Sequence, residues 1–414
     1  MKPLRILVLA PWPFRKPKNG GQLRGAAVVQ AYRDSGHIVH TVALYDPGRV
    51  RQDEIWSSDI PITAGVGNII QRPNPSEASS ALVFWNAVAE ADDSFAAFTE
   101  AVEKFEPDVV QFEEPFLWPV VRRLKAQRIL AKATVVHSSY NFETEAWRDL
   151  RTAGADISDR TLRDIEALEK EIATSCDLII TVSRSDAEDF RSLGAEAVCI
   201  TKNGVTNLLP EKGDIEVLQT YRSLAAPSAL FVSSAHPPNA HGLIELAVAA
   251  QGHPVRSGEI LICGHVGKLI RSAKLFKRAA AVLDRARYLG WVGDSLLSAL
   301  YYSCRVVILP KTLGGGSNLK TAEALASGRP IVATTNAFRG FEDYADLPGI
   351  TIADDPHEFW SAVNARLTDT CIEETSTSDE LKDLLWTKCL TPMVRAVEAI
   401  HETVSQIKIS ETAL

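Results

Sequence analysis

Short apolar, β-branched runs alternate with longer stretches of helical periodicity along the chain. In the first half the runs lie at residues 5–10, 38–44, 108–112, 134–137, 177–182 and 197–201. The series then restarts at 229–234, 259–264, 288–292, 305–310, 329–334 and 349–353. Continuous apolar strands separated by helices are typical of parallel sheets that are covered on both faces. The pattern therefore predicts an α/β protein with two doubly wound, Rossmann-like domains.

A polar bridge at residues 203–214 separates the two series, and a length of 414 residues is enough for two hydrophobic cores. We expect a first domain over 1–205, a second over 206–385 and a C-terminal helix over 386–414. Pro392 should kink or restart this helix. The helix can cover its own domain or cross back onto the first, and its apolar stripe comprises Trp386, Leu390, Met393, Val397, Ile400, Val404 and Ile407.

The charge balance argues against a general nucleic-acid-binding protein. The chain has 44 basic and 52 acidic residues, a net charge of −8, so a broad basic surface is excluded and only a local patch remains. One such patch lies in residues 121–133, where the helical spacing predicts that four cations share a stripe. The stripe is either a solvated helix face or a contact with an anionic membrane surface, and it comprises Arg122, Lys125, Arg128 and Lys132.

The cysteines and the lengths of the apolar runs indicate the cellular compartment. The six cysteines are scattered and form no C-x-x-C pair, which favours buried thiols in a reducing compartment. The first apolar run is too short for a signal peptide, and no window approaches roughly 18 uninterrupted apolar residues. We therefore expect a cytoplasmic protein. Neither an Asp-x-Asp triplet nor a cluster of ligand residues occurs, so we expect no metal or other cofactor.

The segment LPKTLGGGSNLKTAEALASGRPIVA, residues 309–333, carries the main candidate site. Three glycines separate a predicted strand from a helix that Ser317 or Asn318 should cap and Gly328 should end. Helix N-termini at the carboxyl edge of a parallel sheet offer free N–H groups and a positive dipole end. A phosphate is therefore the expected ligand, and a simple turn is the alternative.

The chain does not match either of two familiar phosphate-binding motifs. Leu319 stands where a Walker A loop needs its second glycine, which argues against an ATPase. In the first domain Gly20, Gly21 and Gly25 come well after the first strand, whereas a dinucleotide fingerprint must lie in the tight turn itself. NAD binding is therefore not expected.

The residues from Glu323 to Ala333, EALASGRPIVA, resemble the second half of the donor-binding motif of GT-B glycosyltransferases, in particular of the retaining family 4. The glycines before the first helix, KNGV at the domain boundary and SSAHPPNAHGL at the start of the second domain agree with it in order. The resemblance implies two Rossmann-like domains that face each other across a cleft, with the C-terminal helix returning to the first. It also implies transfer of a sugar from a nucleotide sugar to an acceptor in glycan or glycoside synthesis.

The same resemblance implies roles for individual residues. Glu323 would bind the ribose hydroxyls, and the loop and helix start would meet the diphosphate. Gly315 stands where the family has its first glutamate, which usually contacts the donor sugar. Lys320 adds a charge to the phosphates or is a solvated surface lysine. The donor-binding residues are thus Gly315, Gly316, Ser317, Asn318, Leu319, Lys320 and Glu323.

The first domain should bind the acceptor, which can be a sugar, a lipid-linked molecule or a small molecule, and peripheral contact with a membrane stays open. Gly20 and Gly21 would let the loop before the first helix approach the sugar, or simply form a flexible loop. His137 and Glu113 end predicted strands and are our catalytic candidates, with structural roles as the alternative; Glu114 shares the position of Glu113. Two other functions stay open: a nucleotide-sugar epimerase of this architecture, and a non-catalytic glycan- or nucleotide-binding relative.

Overall fold

The computed structural model describes residues 2–69, 77–207, 227–250, 255, 257–283, 285–315, 318–369 and 381–412. The chain divides into two compact units. Unit 1 comprises Met1–Arg148, Asp156–Lys202 and Leu390–Leu414, and unit 2 comprises Asp149–Ala155 and Asn203–Cys389. Most of the bridge predicted at 203–214 lies outside the described residues.

Unit 1 is built on a parallel sheet in the order β3-β2-β1-β4-β5-β6-β7. The strands β4 and β5 are completely buried, as expected of central strands covered on both faces. The strands are β1 (Arg5–Ala10), β2 (Ile38–Tyr45), β3 (Ile60–Pro61), β4 (Val109–Glu113), β5 (Thr134–Ser138), β6 (Leu178–Thr181) and β7 (Val198–Ile200).

The helices of unit 1 alternate with these strands and pack against the sheet. Phe95, Phe98, Trp118 and Phe190 on three of the helices form the core together with Phe112 of β4. The helices are α1 (Gly20–Asp34), α2 (Ala64–Ile69), α3 (Glu77–Glu90), α4 (Asp92–Phe105), α5 (Trp118–Ala126), α6 (Glu143–Thr152, which ends in unit 2), α7 (Asp159–Ser175) and α8 (Arg184–Ser192).

Unit 2 repeats this architecture with a parallel sheet in the order β10-β9-β8-β11-β12-β13. Its strands are β8 (Ser228–Val232), β9 (Glu259–Cys263), β10 (Ala286–Gly290), β11 (Val306–Leu309), β12 (Ile331–Ala333) and β13 (Ile350–Ile352). Its helices are α9 (Pro237–Ala249), α10 (Val266–Ser272), α11 (Phe276–Leu283), α12 (Asp294–Ser303), α13 (Leu319–Ala326), α14 (Pro356–Thr368) and α15 (Trp386–Cys389).

The two predicted doubly wound domains are confirmed, and each of the twelve predicted strands overlaps an observed one. The sequence pattern missed β3, because a strand of only Ile60 and Pro61 is too short to show any periodicity. Each predicted strand end lies within two residues of the observed end, as is usual for boundaries that are defined by hydrogen bonds.

The C-terminal helix α16 (Thr391–Thr412) packs on unit 1, which confirms that it returns to the first domain. Its His401 Nδ1 lies 3.0 Å from the Thr134 hydroxyl, and Lys408 donates to the carbonyl of Ala133 at 2.9 Å. Pro392 is the second residue of the helix, so the predicted restart is confirmed as well.

The predicted apolar stripe is only partly buried. Met393 and Val397 are completely buried, whereas Ile407 is 52% exposed. Trp386 belongs to the separate helix α15 in unit 2. The stripe was therefore predicted too long at both ends, because helical spacing alone does not show where the underlying surface ends.

The predicted basic stripe on residues 121–133 is wrong. Helix α5 ends at Ala126, and Arg128 adopts a left-handed backbone with φ of 60°. Arg122 forms an ion pair with Glu171 at 3.1 Å, and Lys125 donates to the carbonyl of Ser175. The four cations therefore do not share one helix face, and they give no support to a membrane-binding stripe.

The described cysteines and helices add two observations. Cys176, Cys199, Cys263, Cys304 and Cys389 are all free thiols, and the last three are buried. In the part of the chain that the structure describes, no helix is both long enough and apolar enough to cross a membrane.

We predict that Met393→Ala lowers the stability of unit 1 by about 2–5 kcal/mol, because it leaves a cavity where a completely buried side chain was removed. Thermal unfolding of the full chain measures the change. Glu402→Ala on the exposed face of the same helix is the control and should change the stability by less than about 0.5 kcal/mol. Equal melting temperatures of the two variants would contradict the packing described for α16.

Candidate active site

The loop after β11 lies at the carboxyl edge of the unit 2 sheet and leads into helix α13. Asn318 occupies the N-cap position with an extended backbone, but its side chain makes no capping hydrogen bond. Ser317, the other predicted cap, lies outside the described residues, as does Gly316. No described side chain caps the first turn of α13, so its N–H groups and dipole can interact with an anion.

The side chain of Asn318 is held by Lys311 instead. The Lys311 ammonium donates to Asn318 Oδ1 at 2.9 Å and to the carbonyl oxygen of Gly315 at 3.1 Å. The Asn318 amide in turn donates to the carbonyls of Asn336 and Ala337. These bonds fix the loop and the start of α13. Lys311 was missed by the sequence analysis, and its only signal is its position directly after a buried strand.

Gly314 explains part of the glycine run. Its φ of +106° lies in the left-handed region, where side chains are strained, and a Cβ atom there would come within 3.0 Å of Lys311 Cε. Gly315 is half-buried and contributes its carbonyl oxygen to Lys311. The described glycines therefore serve the turn and the close approach of the Lys311 side chain.

Glu323 lies on α13 one turn beyond the loop and is half-buried. The Tyr301 hydroxyl on α12 donates to Glu323 Oε2 at 3.3 Å. Burial raises the pKa of Glu323, while the charge of Lys320 and the bond from Tyr301 oppose that shift. Burial also raises the pKa of Tyr301 well above its usual range, so the phenol keeps its proton and acts as the donor. Sequence reasoning missed Tyr301, because nothing in the helical pattern of α12 distinguishes it.

Lys320 precedes Glu323 by about one turn and lines a pocket at the start of α13. Burial lowers the pKa of Lys320 to about 8, against the opposing attraction of Glu323. Burial and then the charges of Lys320 and Lys311 lower the pKa of His236 to about 4. The half-buried position of Lys320 does not fit a solvated surface lysine. The pocket has an excess of positive charge, and its polar lining comprises Ser233, Asn239, Lys311, Asn318, Lys320 and Thr321.

In unit 1 the predicted glycine loop is part of a helix. Gly20 and Gly21 are the first two residues of α1, and the Asn19 side chain caps the helix by accepting from Gln22 N at 3.0 Å. A Cβ atom on Gly21 would lie 3.1 Å from both the Trp12 and the Tyr140 rings. The small residue is therefore explained by aromatic packing, and a flexible loop at this point was a wrong interpretation.

Glu113 is completely buried at the end of β4. Its Oε1 accepts from the Gln111 amide at 2.6 Å, and Gln111 accepts from the Tyr32 hydroxyl on α1. Burial raises the pKa of Glu113, and the bond from Gln111 and the charge of Arg24 oppose the shift. As placed, the carboxyl belongs to a polar network between α1 and the sheet, and its catalytic role stays a prediction.

His137 is also completely buried, on the opposite face of the sheet from Glu113. Its ring stacks on Phe112 with a centroid distance of 4.6 Å and meets Phe190 edge-on at 5.8 Å. Burial lowers the pKa of His137 to about 3, so the imidazole is neutral at physiological pH. Its catalytic role stays a prediction.

Glu114 differs from its neighbour in conformation and exposure. It is half-buried and has a φ of 72°, in a region that non-glycine residues rarely adopt. Burial raises the pKa of Glu114 well above its usual range, and Glu143 and Glu113 raise it further. Strain and a perturbed pKa in one residue are typical of functional positions. The sequence gives no sign of the strained backbone.

The fold is that of known GT-B proteins. Sucrose-phosphate synthase from Thermosynechococcus elongatus matches with a TM-score of 0.64 at 17% identity, over 99% of each chain. Anabaena HepE, solved with UDP and glucose, matches with a TM-score of 0.61 at 16% identity, over 98% of this chain and 99% of the other. A trehalose-phosphate synthase from Burkholderia xenovorans matches with a TM-score of 0.64 at 15% identity, over 95% of this chain and all of the other (100%).

Two family models match successive parts of the chain. Residues 19–206 match glycosyltransferase family 4, and residues 226–369 match the glycosyl transferases group 1. The chain is a glycosyltransferase of the GT-B fold. No curated protein matches the sequence of this glycosyltransferase significantly. The group 1 match contains Glu323 and the pocket with Lys311 and Lys320, and the family 4 match contains the network around Glu113.

We predict that the affinity of the glycosyltransferase for a nucleoside diphosphate falls as the pH rises above about 8. The free protein loses the Lys320 proton there, since burial lowers its pKa to about 8, whereas a bound anion would keep the lysine charged. Calorimetric titration across this range measures the slope. Lys320→Gln should bind more weakly at neutral pH and show no fall, and a wild-type slope in this variant would contradict the prediction.

Proposed function

We propose that this glycosyltransferase takes its sugar from a nucleoside diphosphate sugar bound in the pocket of unit 2. The observation that carries the proposal is the convergence of Lys311, Lys320 and the uncapped start of α13, with Glu323 one turn away. A diphosphate suits the charged end of the pocket, and a carboxylate suits the two hydroxyls of a ribose. HepE was solved with UDP and with UDP-glucose, so UDP is the first nucleotide to test.

The proposed chemistry follows from the place where negative charge develops during sugar transfer. The bond between the sugar's anomeric carbon and the diphosphate oxygen breaks, and its electron pair leaves with the diphosphate. Helix N–H groups and the two lysines stabilise that growing negative charge. The acceptor's hydroxyl oxygen forms the new bond to the anomeric carbon, and its proton passes to an oxygen of the departing diphosphate. Because Lys311 is held by Gly315 and Asn318, its ammonium is in place before the reaction begins.

Several finer features belong to the proposal. Retention of the anomeric configuration rests on the family resemblance. Metal independence rests on the charges of Lys311 and Lys320, which can replace a cation. The acceptor would bind to unit 1, in cell-surface glycan or specialised glycoside synthesis. A cytoplasmic location and contact with a membrane stay predictions. Gly315 in place of the family's first glutamate means that other residues must contact the donor sugar.

Glu323→Ala should weaken nucleoside and nucleoside diphosphate alike. Loss of charge-assisted hydrogen bonds to the ribose costs about 1.5–3 kcal/mol, which corresponds to a roughly 10- to 150-fold loss of affinity. Calorimetric titration with uridine and UDP measures both. Unchanged affinity of Glu323→Ala for both ligands would remove this pocket as the donor site.

Gly314→Val is the matched variant for the phosphate end. A side chain there is strained at φ of +106° and displaces Lys311, so UDP affinity should fall while uridine affinity stays near that of the wild type. Equal losses for the two ligands would contradict the assignment of this end to the diphosphate.

A turnover assay distinguishes the three functions considered for the chain. A transferase releases nucleoside diphosphate from the donor in proportion to acceptor, an epimerase converts the nucleotide sugar without acceptor, and a non-catalytic relative does neither. Release that does not depend on any acceptor would count against the proposed transfer.

A further inference from the structure

The last turn of helix α6 carries an acidic side chain, Asp149. This residue is the first of the segment Asp149–Ala155, which belongs to unit 2 together with the loop between β11 and α13. The carbonyl of Asp149 accepts from Ala153 N at 2.9 Å, and the helix ends before Gly154, whose φ is +96°. The backbone of Asp149 is therefore fixed within a regular helical turn.

A carboxylate is unfavourable at this place in a helix. The last carbonyls of a helix carry a partial negative charge, so basic side chains are favoured there, and the same turn of α6 does contain Arg151. The helix dipole repels the Asp149 carboxylate instead. Asp149 thus departs from the local preference, as residues do where they serve a function that local structure does not require.

The Asp149 carboxylate binds the backbone of the loop between β11 and α13, which we name the donor loop. Gly314 N donates to Asp149 Oδ2 at 2.8 Å, although the two residues are 165 positions apart in the sequence. Both residues belong to unit 2, and Asp149 is half-buried. A hydrogen bond from an N–H group to a carboxylate is roughly twice as strong as one between neutral groups.

The donor loop needs such a partner because of its composition. The sequence has three consecutive glycines from Gly314 onward, and glycine loses more conformational freedom on ordering than any other residue. Lys311 holds the carbonyl of Gly315, and Asp149 holds the N–H of Gly314. The two side chains order the turn before a ligand arrives, which lowers the entropy cost of binding.

The bond between Asp149 and Gly314 lies outside the space that a ligand would fill. The described residues that line the pocket of unit 2 include Lys311, Asn318 and Lys320 but neither Asp149 nor Gly314. A diphosphate in this pocket therefore leaves the bond in place. This arrangement favours a tether of the donor loop over a carboxylate that competes with the diphosphate.

We infer that Asp149 is a positioning residue for the donor diphosphate, which it serves by holding the donor loop at Gly314 N. This inference rests on the proposed function and adds to it a residue from the first half of the sequence. The role requires an acceptor oxygen at this point. The negative charge of the carboxylate is not required, because it would repel a diphosphate rather than attract it.

Calorimetric titration of the full chain with UDP and with uridine tests the inference. Asp149→Ala removes the acceptor, so UDP affinity should fall about 10-fold while uridine affinity stays within about 2-fold of the wild type. Asp149→Asn keeps a carbonyl oxygen for Gly314 N, so its UDP affinity should stay within about 3-fold of the wild type. Asp156→Ala, at an exposed acid just beyond the same helix, is the control and should change neither affinity.

A second measurement follows the hydrogen bond itself. Hydrogen exchange of the Gly314 amide, measured by NMR on protein labelled with ¹⁵N-glycine, should be faster in Asp149→Ala than in the wild type, because the amide loses its acceptor. Asp149→Asn should keep the slow exchange. The melting temperatures of the variants show whether the whole fold is weakened.

Four outcomes distinguish the inference from its alternatives. Equal or tighter UDP binding in Asp149→Ala would overturn it, because the carboxylate would then compete with the diphosphate or leave the donor loop unaffected. Equal losses of UDP affinity in Asp149→Ala and Asp149→Asn would assign the effect to the charge and would overturn it as well. A lower melting temperature with equal losses for UDP and uridine would reduce Asp149 to a general structural role. Failure of the wild type to bind UDP would count against the proposed donor site, and the exchange of the Gly314 amide would still test the tether.

Discussion

The Lys311 ammonium, held between the Gly315 carbonyl and the Asn318 side chain, is the contact on which the donor pocket depends. It takes the Asn318 side chain away from capping, so the first turn of α13 keeps its N–H groups for a ligand. It also requires Gly314, because any side chain there would collide with the lysine. The Lys311 ammonium, the start of α13 and the turn at Gly314 therefore depend on one another.

The alternation of apolar runs and helical segments was enough to predict both sheets, because a strand that is buried on both faces is a continuous apolar run in the sequence. Glu323 and Lys320 could be placed at one site because they share a helix with the glycine loop. Lys311, Tyr301 and Glu114 could not be found in this way. Their importance depends on contacts between separate elements and on one backbone angle, and neither is encoded in local periodicity.

For His137 and the glycines Gly20 and Gly21 the structure shows packing contacts or helix positions, and their roles in the site stay predictions. Each lies where functional residues of parallel sheets gather, yet His137 packs between two phenyl rings and Gly21 makes room for Trp12 and Tyr140. Side chains beyond a strand end can point into the core or outward, and alternation along the strand decides which. Glu113 is a buried member of a polar network, whereas Glu114 lies beyond the end of β4, is half-buried and has a φ of 72°.

Because helix α16 belongs to unit 1, unit 1 contains residues from both before and after unit 2 in the sequence. Unit 2 is therefore an insertion in unit 1. During synthesis the sheet of unit 1 emerges first, but the surface on β5 and β7 stays uncovered until Thr391–Thr412 has left the ribosome. The sheet of unit 2 comes from one continuous stretch and can form before that. The surface that α16 covers in the folded protein therefore stays open for the whole time that the second unit is being translated.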